Sequence, residues 1–122
     1  MQTYSSKDVA EKIGVSLRQL RWWDETGALV PKRTDGAGGG GNQIRQYDDF
    51  EFELVTALKR MRDAGVPLRV WRDHIEAIVR ALKRSESVWV VTDGTELWTA
   101  RLADDAAILA NGRYRVWVVR IK

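Results

Sequence analysis

Residues 5–31, SSKDVAEKIGVSLRQLRWWDETGALVP, are the segment around which the rest of the chain is organised. Gly14 supplies the backbone freedom for a turn, and Gly27 is a typical helix stop. Two residue pairs have the spacing of a capping box, which marks a helix start: Ser5 with Asp8, and Ser16 with Gln19. The sequence therefore predicts two short helices joined by a tight turn, the second over residues 16–26.

The second helix has two chemically different faces. Leu17 and Leu20 predict a side that faces the core, shared with Trp23 or Asp24. The other stripe follows helical spacing and consists of Arg18, Arg21, Trp22 and Glu25. Arginines exposed on a short helix after a glycine turn indicate a helix-turn-helix, because arginine suits phosphates and the acceptor edge of guanine. The spacing also fits an ordinary helical hairpin with a solvated basic face.

The same residues resemble the N-terminal DNA-binding domain of MerR-type transcription regulators. The similarity runs from Tyr4 to Ser16 and continues over residues 20–31, LRWWDETGALVP. The family usually has two tyrosines where this chain has Trp22 and Trp23. With the matches described below, the resemblance covers about residues 3–72 and implies a winged helix-turn-helix.

A wing is predicted around residues 33–47. Residues 36–42, GAGGGGN, are interpreted as the tip of a hairpin, and residues 43–47, QIRQY, as a short strand. The family's wing carries Gly-Tyr-Arg-x-Tyr, of which this chain retains Arg45 and Tyr47. The resemblance implies that Arg45 reaches the DNA backbone or minor groove and that Tyr47 holds a flanking phosphate.

Apolar positions at helical spacing predict two further helices. The first begins at a third capping box, Asp48 with Glu51, and ends near Gly65. The second continues to about Leu82 as a single helix. It carries His74, which is expected to be an ordinary helix residue.

After residues 83–87 the resemblance ends and the composition changes to β-forming residues. Asp93-Gly94 predicts a hairpin with a two-residue turn, in which Trp89 lies opposite Trp98. A short helix over residues 104–110 and a last strand follow. A segment this short cannot bury a sheet alone, so it must cover the preceding helix or a second chain.

The predicted fold is mainly α with small β parts. Residues 1–84 are expected to form a winged helix-turn-helix of four helices, and residues 85–122 a small three-stranded αβ tail. Three roles stay open for the tail: dimerisation, completion of the monomer's core, or binding of an effector or another protein. Dimerisation would use the three strand tryptophans, Trp89, Trp98 and Trp117.

Composition narrows the classes of function. The net charge is +3, and its excess lies in residues 1–84, with 15 Lys and Arg against 12 Asp and Glu; residues 85–122 have five of each. The absence of cysteine excludes disulfides, thiolate metal sites and cysteine nucleophiles. A single histidine without paired carboxylates indicates neither an enzyme nor a metal site, and no cofactor is expected. No apolar run approaches a membrane span, so we expect a bacterial or phage protein of the cytoplasm, at the nucleoid.

We therefore predict a sequence-specific binder of double-stranded DNA, and a transcription regulator, with helix 16–26 in the major groove. The predicted DNA contacts are Ser16, Arg18, Gln19, Arg21, Trp22, Lys32, Arg33, Arg45 and Tyr47. Arg18 and Gln19 would read bases, while Arg21 and Trp22 would anchor near the backbone. Further expected partners are a second copy of the chain and RNA polymerase. The alternatives are a protein-interaction adaptor and an excisionase-like architectural DNA bender without an effector.

Overall fold

A computed structural model describes residues 2–29, 32–35, 43–113 and 115–122. The chain divides into two compact units, Met1–Val55 and Thr56–Lys122. The predicted domain boundary after Arg84 lies within the second of these units. No helix of the described residues is long and apolar enough to cross a membrane.

The secondary structure alternates short helices with short strands. In chain order the elements are β1 (Thr3–Ser5), α1 (Ser6–Ile13), α2 (Leu17–Glu25), β2 (Lys32–Asp35), β3 (Gln43–Asp48), α3 (Asp49–Asp63), α4 (Leu68–Asp73), α5 (Ile75–Arg84), β4 (Trp89–Thr92), β5 (Leu97–Ala100), α6 (Ala103–Ala110) and β6 (Trp117–Arg120).

The first helix and the turn after it follow the predicted capping chemistry. The Ser5 hydroxyl accepts a hydrogen bond from the Asp8 amide at 3.1 Å, and the Asp8 carboxylate accepts one from the Ser5 amide at 3.4 Å. Gly14 ends the helix with φ of 84°, and its amide donates to the Ala10 carbonyl. A side chain would be strained at this φ, so the glycine permits the turn that leads into α2.

The first unit contains an antiparallel sheet with strand order β1-β3-β2. The pairing of β2 with β3 confirms the predicted wing hairpin, with Lys32 opposite Gln46 and Asp35 opposite Gln43. Its predicted tip, residues 36–42, lies outside the described residues. Strand β1, which pairs Tyr4 with Tyr47, was not predicted.

The third capping box begins α3 as predicted. The Asp48 carboxylate accepts from the Glu51 amide at 2.7 Å, and the Glu51 carboxylate accepts from the Asp48 amide at 3.1 Å. These two bonds satisfy amide groups that a helix start leaves without partners inside the helix.

The prediction of one helix up to Leu82 is wrong, because the chain breaks it at His74 into α4 and α5. His74 has φ of −113° and ψ of 19°, which is not helical, and its Nε2 lies 2.8 Å from the Thr95 carbonyl oxygen. The described residues up to Arg84 therefore contain five helices instead of four. The break therefore coincides with a contact to Thr95, which is distant in sequence.

The tail forms the predicted three-stranded αβ arrangement, with strand order β5-β4-β6 and α6 packed against the sheet. The predicted hairpin between β4 and β5 is present, but the predicted register is wrong. Trp98 lies opposite Val91, and Trp89 lies opposite Ala100. The register is shifted by two residues because the loop contains four residues instead of two.

Side chains of the hairpin loop stabilise this longer turn. The Asp93 carboxylate accepts hydrogen bonds from the amides of Thr95 and Glu96 at 2.9 and 2.8 Å. The Thr92 hydroxyl accepts from the Gly94 amide and donates to the Glu96 carbonyl at 2.6 Å. Gly94 has φ of 99°, a conformation that favours glycine.

The tail completes the core of the second unit. The Val88 amide donates to the Lys122 carbonyl, and the Lys122 ammonium donates to the Leu82 carbonyl at the end of α5 at 2.8 Å. Buried apolar side chains come from both the helices and the sheet: Leu58, Met61, Val70, Trp71, Ile78, Leu82, Val88, Val90, Val91, Val119 and Ile121. The tail therefore packs on the preceding helices. This agrees with the alternative in which the tail completes the monomer's core.

We expect Asp93→Ala to lower the melting temperature at pH 7, whereas Asp93→Asn, which keeps an acceptor oxygen, should lower it less. The two amide bonds are the largest causes that hold the pKa of Asp93 below its ordinary value of 3.8. A carboxylate with a lowered folded pKa stabilises the fold above that ordinary value and loses this effect as the pH falls through the folded pKa. Melting curves between pH 7 and 2 should therefore show that the difference in melting temperature between wild type and Asp93→Ala becomes smaller in acid. A difference that does not change with pH would contradict this role of Asp93.

Candidate nucleic-acid interface

The start of α2 is set by Ser16. Its hydroxyl accepts a hydrogen bond from the Gln19 amide at 2.9 Å, which makes Ser16 the N-cap. The predicted helix start is thus confirmed. The Ser16 hydroxyl already has a structural role as the cap, and Ser16 itself remains exposed at the helix tip.

One side of α2 is buried in the first unit. Leu20 and Trp23 are almost fully buried, and Asp24 is 7% exposed. The expectation that Leu17 faces the core is wrong, since this side chain is 55% exposed. Leu17 is the first residue of the helix, beside the cap, and the buried side chains of α2 begin one turn later.

The opposite side of α2 forms a continuous surface, which we call the α2 face. Its residues line a single groove and are Ser16, Arg18, Gln19, Arg21, Trp22 and Glu25. Trp22 is 51% exposed and adds a large apolar ring to this face. The structure therefore brings together the five residues of α2 and its cap that were predicted to contact DNA.

The two arginines of the α2 face are available to a partner. Arg18 and Arg21 are both exposed, and neither forms an ion pair with a described residue. Glu25, one turn after Arg21, is the only acid on the face among the described residues. A surface of this kind suits an anionic partner with apolar edges.

Arg45 lies between the wing and α2. Its Nε is 2.5 Å from Oδ2 of Asp24, whose side chain is 3% exposed, while the Arg45 side chain is 29% exposed. The pair connects the central strand β3 to the buried side of α2. A structural role of this kind was not part of the prediction for Arg45.

Tyr47, which was predicted to hold a flanking phosphate, is fully buried in the core of the first unit. Burial is the largest cause that raises the pKa of its phenol above the ordinary value of 10.0, so the group stays neutral at physiological pH. The backbones of Lys32 and Arg33 pair with Gln46 and Arg45 in the wing. The contacts of the Lys32 and Arg33 side chains lie outside what the structure describes.

The three tail tryptophans are half-buried and make contacts within the second unit. The Arg113 guanidinium lies 3.9 Å from the centroid of the Trp98 ring, and Arg120 lies 5.9 Å from that of Trp89. Trp117 packs beside the turn glycine Gly94. The most exposed large apolar side chains of the tail are instead Leu102, Ile108 and Val118, which sequence reasoning did not single out.

The described residues do not meet the requirements of a metal site. They contain no group of three or more histidines, cysteines or acids that could hold a metal ion. His74, the one histidine, is engaged with the Thr95 carbonyl.

Two helices joined by a glycine turn, a following β-hairpin wing and an exposed basic face on the second helix define the winged helix-turn-helix class of DNA-binding domains. Residues 4–78 match the family described as MerR HTH family regulatory protein. The chain belongs to this family, which confirms the resemblance seen in the sequence. That family consists of DNA-binding transcription regulators, which are not an enzyme class.

The chain is similar to several proteins of the same kind. It is 25% identical over 121 residues to an uncharacterized HTH-type transcriptional regulator of Mycobacterium bovis, a match that covers 97% of this chain and 52% of that protein. It is 30% identical over 67 residues to an uncharacterized HTH-type transcriptional regulator of Haemophilus influenzae, covering 55% of this chain and 46% of that protein. The chain thus spans about half the length of the curated relatives that it matches.

A solved structure shares the fold. It is the crystal structure of HiNmlR, a MerR family regulator lacking the sensor domain, bound to promoter DNA. The TM-score is 0.52 at 26% sequence identity, and the match covers 66% of this chain and 57% of that one.

We expect Asp24→Ala to destabilise the protein by about 1.5–3 kcal/mol, because it removes a hydrogen bond to a charged group and leaves Arg45 without its carboxylate. Chemical denaturation measures the change. Asp63→Ala is the matched control: it removes contacts to Lys59 and Arg62, but the Asp63 side chain is 48% exposed, so the loss should stay below about 1 kcal/mol. Equal losses for the two variants would contradict the structural role of the buried pair.

Proposed function

We propose that residues 1–84 bind double-stranded DNA sequence-specifically, with α2 in the major groove, and that the protein regulates transcription. The observation that carries the proposal is the α2 face, on which a half-exposed tryptophan lies with two exposed arginines that have no ion-pair partner among the described residues. The buried opposite side of the helix holds this face rigidly. The similarity to a regulator bound to promoter DNA supports the same mode of binding.

The residues that read the bases lie on the first turn of α2, because the N-terminal residues of a recognition helix contact base edges. Arg18 is suited to bidentate donation to guanine O6 and N7, and Gln19 to bidentate contact with adenine. The cap formed by Ser16 uses the Gln19 backbone amide, which leaves the Gln19 side chain for the groove.

The residues that contact the DNA backbone lie on the second turn of α2 and on the wing. Arg21 pairs with a phosphate, and the indole N–H of Trp22 donates to a neighbouring one while its ring packs against the sugar. Lys32 and Arg33, at the start of β2, supply further positive charge. Arg45 acts first by holding the wing to α2 through Asp24, and its exposed part adds charge toward the DNA.

A single copy of so small an interface binds weakly, so the proposal includes a homodimer that reads two half-sites one helical turn apart. The dimer would act at promoters in the bacterial or phage cytoplasm, with RNA polymerase as a further partner.

Arg18→Ala should weaken binding to the preferred sequence by about 1–3 kcal/mol and relax preference at one base position. The preferred site is first selected from random duplexes, and affinities are then measured by fluorescence anisotropy across a salt series. Gln19→Ala should relax preference at a neighbouring position. Arg120→Ala, which removes one exposed arginine from the tail, is the charge-matched control and should retain the preference.

The wild-type protein should show an enriched motif and an affinity that falls steeply with salt. Absence of binding to any duplex at low salt would refute the proposed function. Equal losses on preferred and random DNA for Arg18→Ala would refute its role as a base reader while leaving DNA binding intact.

Trp22→Ala should weaken binding to preferred and random DNA alike, by about 1 kcal/mol, because it removes one neutral hydrogen bond to the backbone together with its ring contact. Trp22→Tyr should recover most of the affinity, since a phenol also has a donor and a flat ring. The same anisotropy measurements apply. Leu17→Ala, which truncates another exposed apolar side chain of α2, is the control and should change the affinity less.

A further inference from the structure

A groove of about 930 Å³ lies at the outer edge of the tail sheet in the second unit. One of its walls is α5, the other is α6, and Thr99 and Ala100 of β5 line it between them. These two residues are adjacent in a strand and point to opposite faces of the sheet, so the groove reaches both faces at this edge. With the strand order β5-β4-β6, no further strand pairs with β5 among the described residues. The groove therefore gives access to an open sheet edge.

The backbone of Thr99 is directed into this groove. Val88, which leads into the central strand β4, exchanges its backbone hydrogen bonds with the β6 side of the sheet. Successive residues of a central strand bond to alternate neighbours, so the backbone groups of Val91 point to β5, where Trp98 lies opposite. The N–H and C=O of Thr99, one residue after Trp98, therefore point away from β4. Neither group has a partner among the described residues.

Positive charge is concentrated on the α5 side of the groove. Arg80 and Arg84 line it one turn apart, and Arg101 lines it just after β5. All three are exposed, and none forms an ion pair with a described residue. The one acid of the lining is Asp105 on α6, so three arginines against one acid give the lining a net charge of +2.

The α6 side of the groove is apolar apart from Asp105. Leu102 and Ile108 line it and are 62% and 71% exposed, and Leu109 lies beside them. Large apolar side chains that stand into solvent next to one another commonly mark a site of association. The groove thus combines a cationic wall, an apolar wall and unpaired backbone groups between the two.

We propose that this groove binds an extended peptide segment of another protein, in which acidic and apolar residues alternate, and that the segment adds a strand to the edge of β5. Its backbone bonds to the N–H and C=O of Thr99. Its side chains point alternately to the two walls, so the acids meet the α5 arginines and the apolar residues cover Leu102 and Ile108. Main-chain bonds supply affinity in this mode of recognition, and the alternate side chains supply specificity.

The spacing of the arginines fits such a strand. Arg80 and Arg84 are four residues apart on α5, which separates them by about 6 Å along the helix axis. Residues i and i+2 of a strand lie on the same side and are about 6.6–6.8 Å apart. Two acidic side chains of the segment therefore match the two arginines, while the residue between them faces α6.

Two other occupants fit the groove less well. A second copy of the same surface would bring three arginines against three arginines, which repel. A small anion would use the arginines but would leave the backbone of Thr99 and the exposed Leu102 and Ile108 without a partner. The inference goes beyond the proposed function, because the groove belongs to the second unit and the α2 face to the first.

Fluorescence anisotropy with synthetic peptides and the full chain tests the proposal. The probe is a fluorescein-labelled peptide of four Glu-Val repeats. Two control peptides carry the same label: one has four Lys-Val repeats, and the other has four Glu followed by four Val. Wild type should bind the alternating acidic peptide at least tenfold more tightly than either control. Equal affinity for the block-ordered peptide would overturn the proposal, because an amphipathic anion without alternation would then suffice.

A modified probe tests the added strand. The Glu-Val peptide methylated on two adjacent central amide nitrogens keeps its charge and side chains but loses the donor that faces β5. It should bind at least tenfold more weakly than the unmodified peptide. Unchanged affinity would show that the backbone takes no part and would overturn the proposal.

The arginines are tested by Arg80→Glu with Arg84→Glu, which changes the net charge of the lining from +2 to −2. This variant should lose at least tenfold affinity for the Glu-Val peptide and bind the Lys-Val peptide more tightly than wild type does. The gain shows that the variant is folded. Retained affinity for the acidic peptide, or its loss without this gain, would overturn the proposal.

The matched control is Arg60→Glu with Arg120→Glu, which reverses two exposed arginines of the same unit that do not line the groove. It should bind the Glu-Val peptide like wild type. A loss equal to that of the groove variant would show that net charge alone attracts the peptide, and the proposed site would be wrong. None of these measurements involves DNA, so their outcome is independent of the proposed function.

Discussion

The buried ion pair between Asp24 and Arg45 is the constraint on which the DNA-binding unit depends. A carboxylate that is 3% exposed is destabilising unless a partner of opposite charge satisfies it. The partner comes from β3, the middle strand of the sheet, so pairing the charge also fixes the wing against α2. The side of α2 that carries Asp24 is thereby held in the unit, and the opposite side presents Arg18 and Arg21. Stability and the proposed recognition of DNA thus use two sides of the same short helix.

Trp22 and Trp23 illustrate how one helix separates these two roles. Adjacent residues on a helix point about 100° apart, and here the first ring is 51% exposed while the second is fully buried. Trp23 belongs to the core with Leu20, and Trp22 belongs to the α2 face. The family usually has tyrosine at both positions. The larger indole adds apolar surface at the place where the proposed interface meets the DNA backbone.

In the C-terminal unit, a short sheet completes a core that is otherwise formed by helices. The last residues return to the end of α5, where the Lys122 ammonium donates to the Leu82 carbonyl. The hairpin loop meets His74 at the break between α4 and α5. These contacts join the sheet to the helices of its own unit, and the large apolar side chains of the tail that remain exposed are Leu102, Ile108 and Val118.

Local chemistry determined much of this protein from the sequence alone. The three predicted N-caps, the glycine turn, the wing strands, the tail hairpin and the composition of the α2 face depend on residues within a few positions of each other, and all are present. Two of the three predicted capping boxes form in full, whereas at Ser16 only the bond from the Gln19 amide is present. Long-range contacts decided the rest. His74 lies at the interruption of a periodic helix and contacts Thr95, and the burial of Tyr47 and the pairing of Arg45 depend on elements that only the folded chain brings together. Spacing shows which residues share a face, but a partner distant in sequence determines whether that face is buried, paired or free.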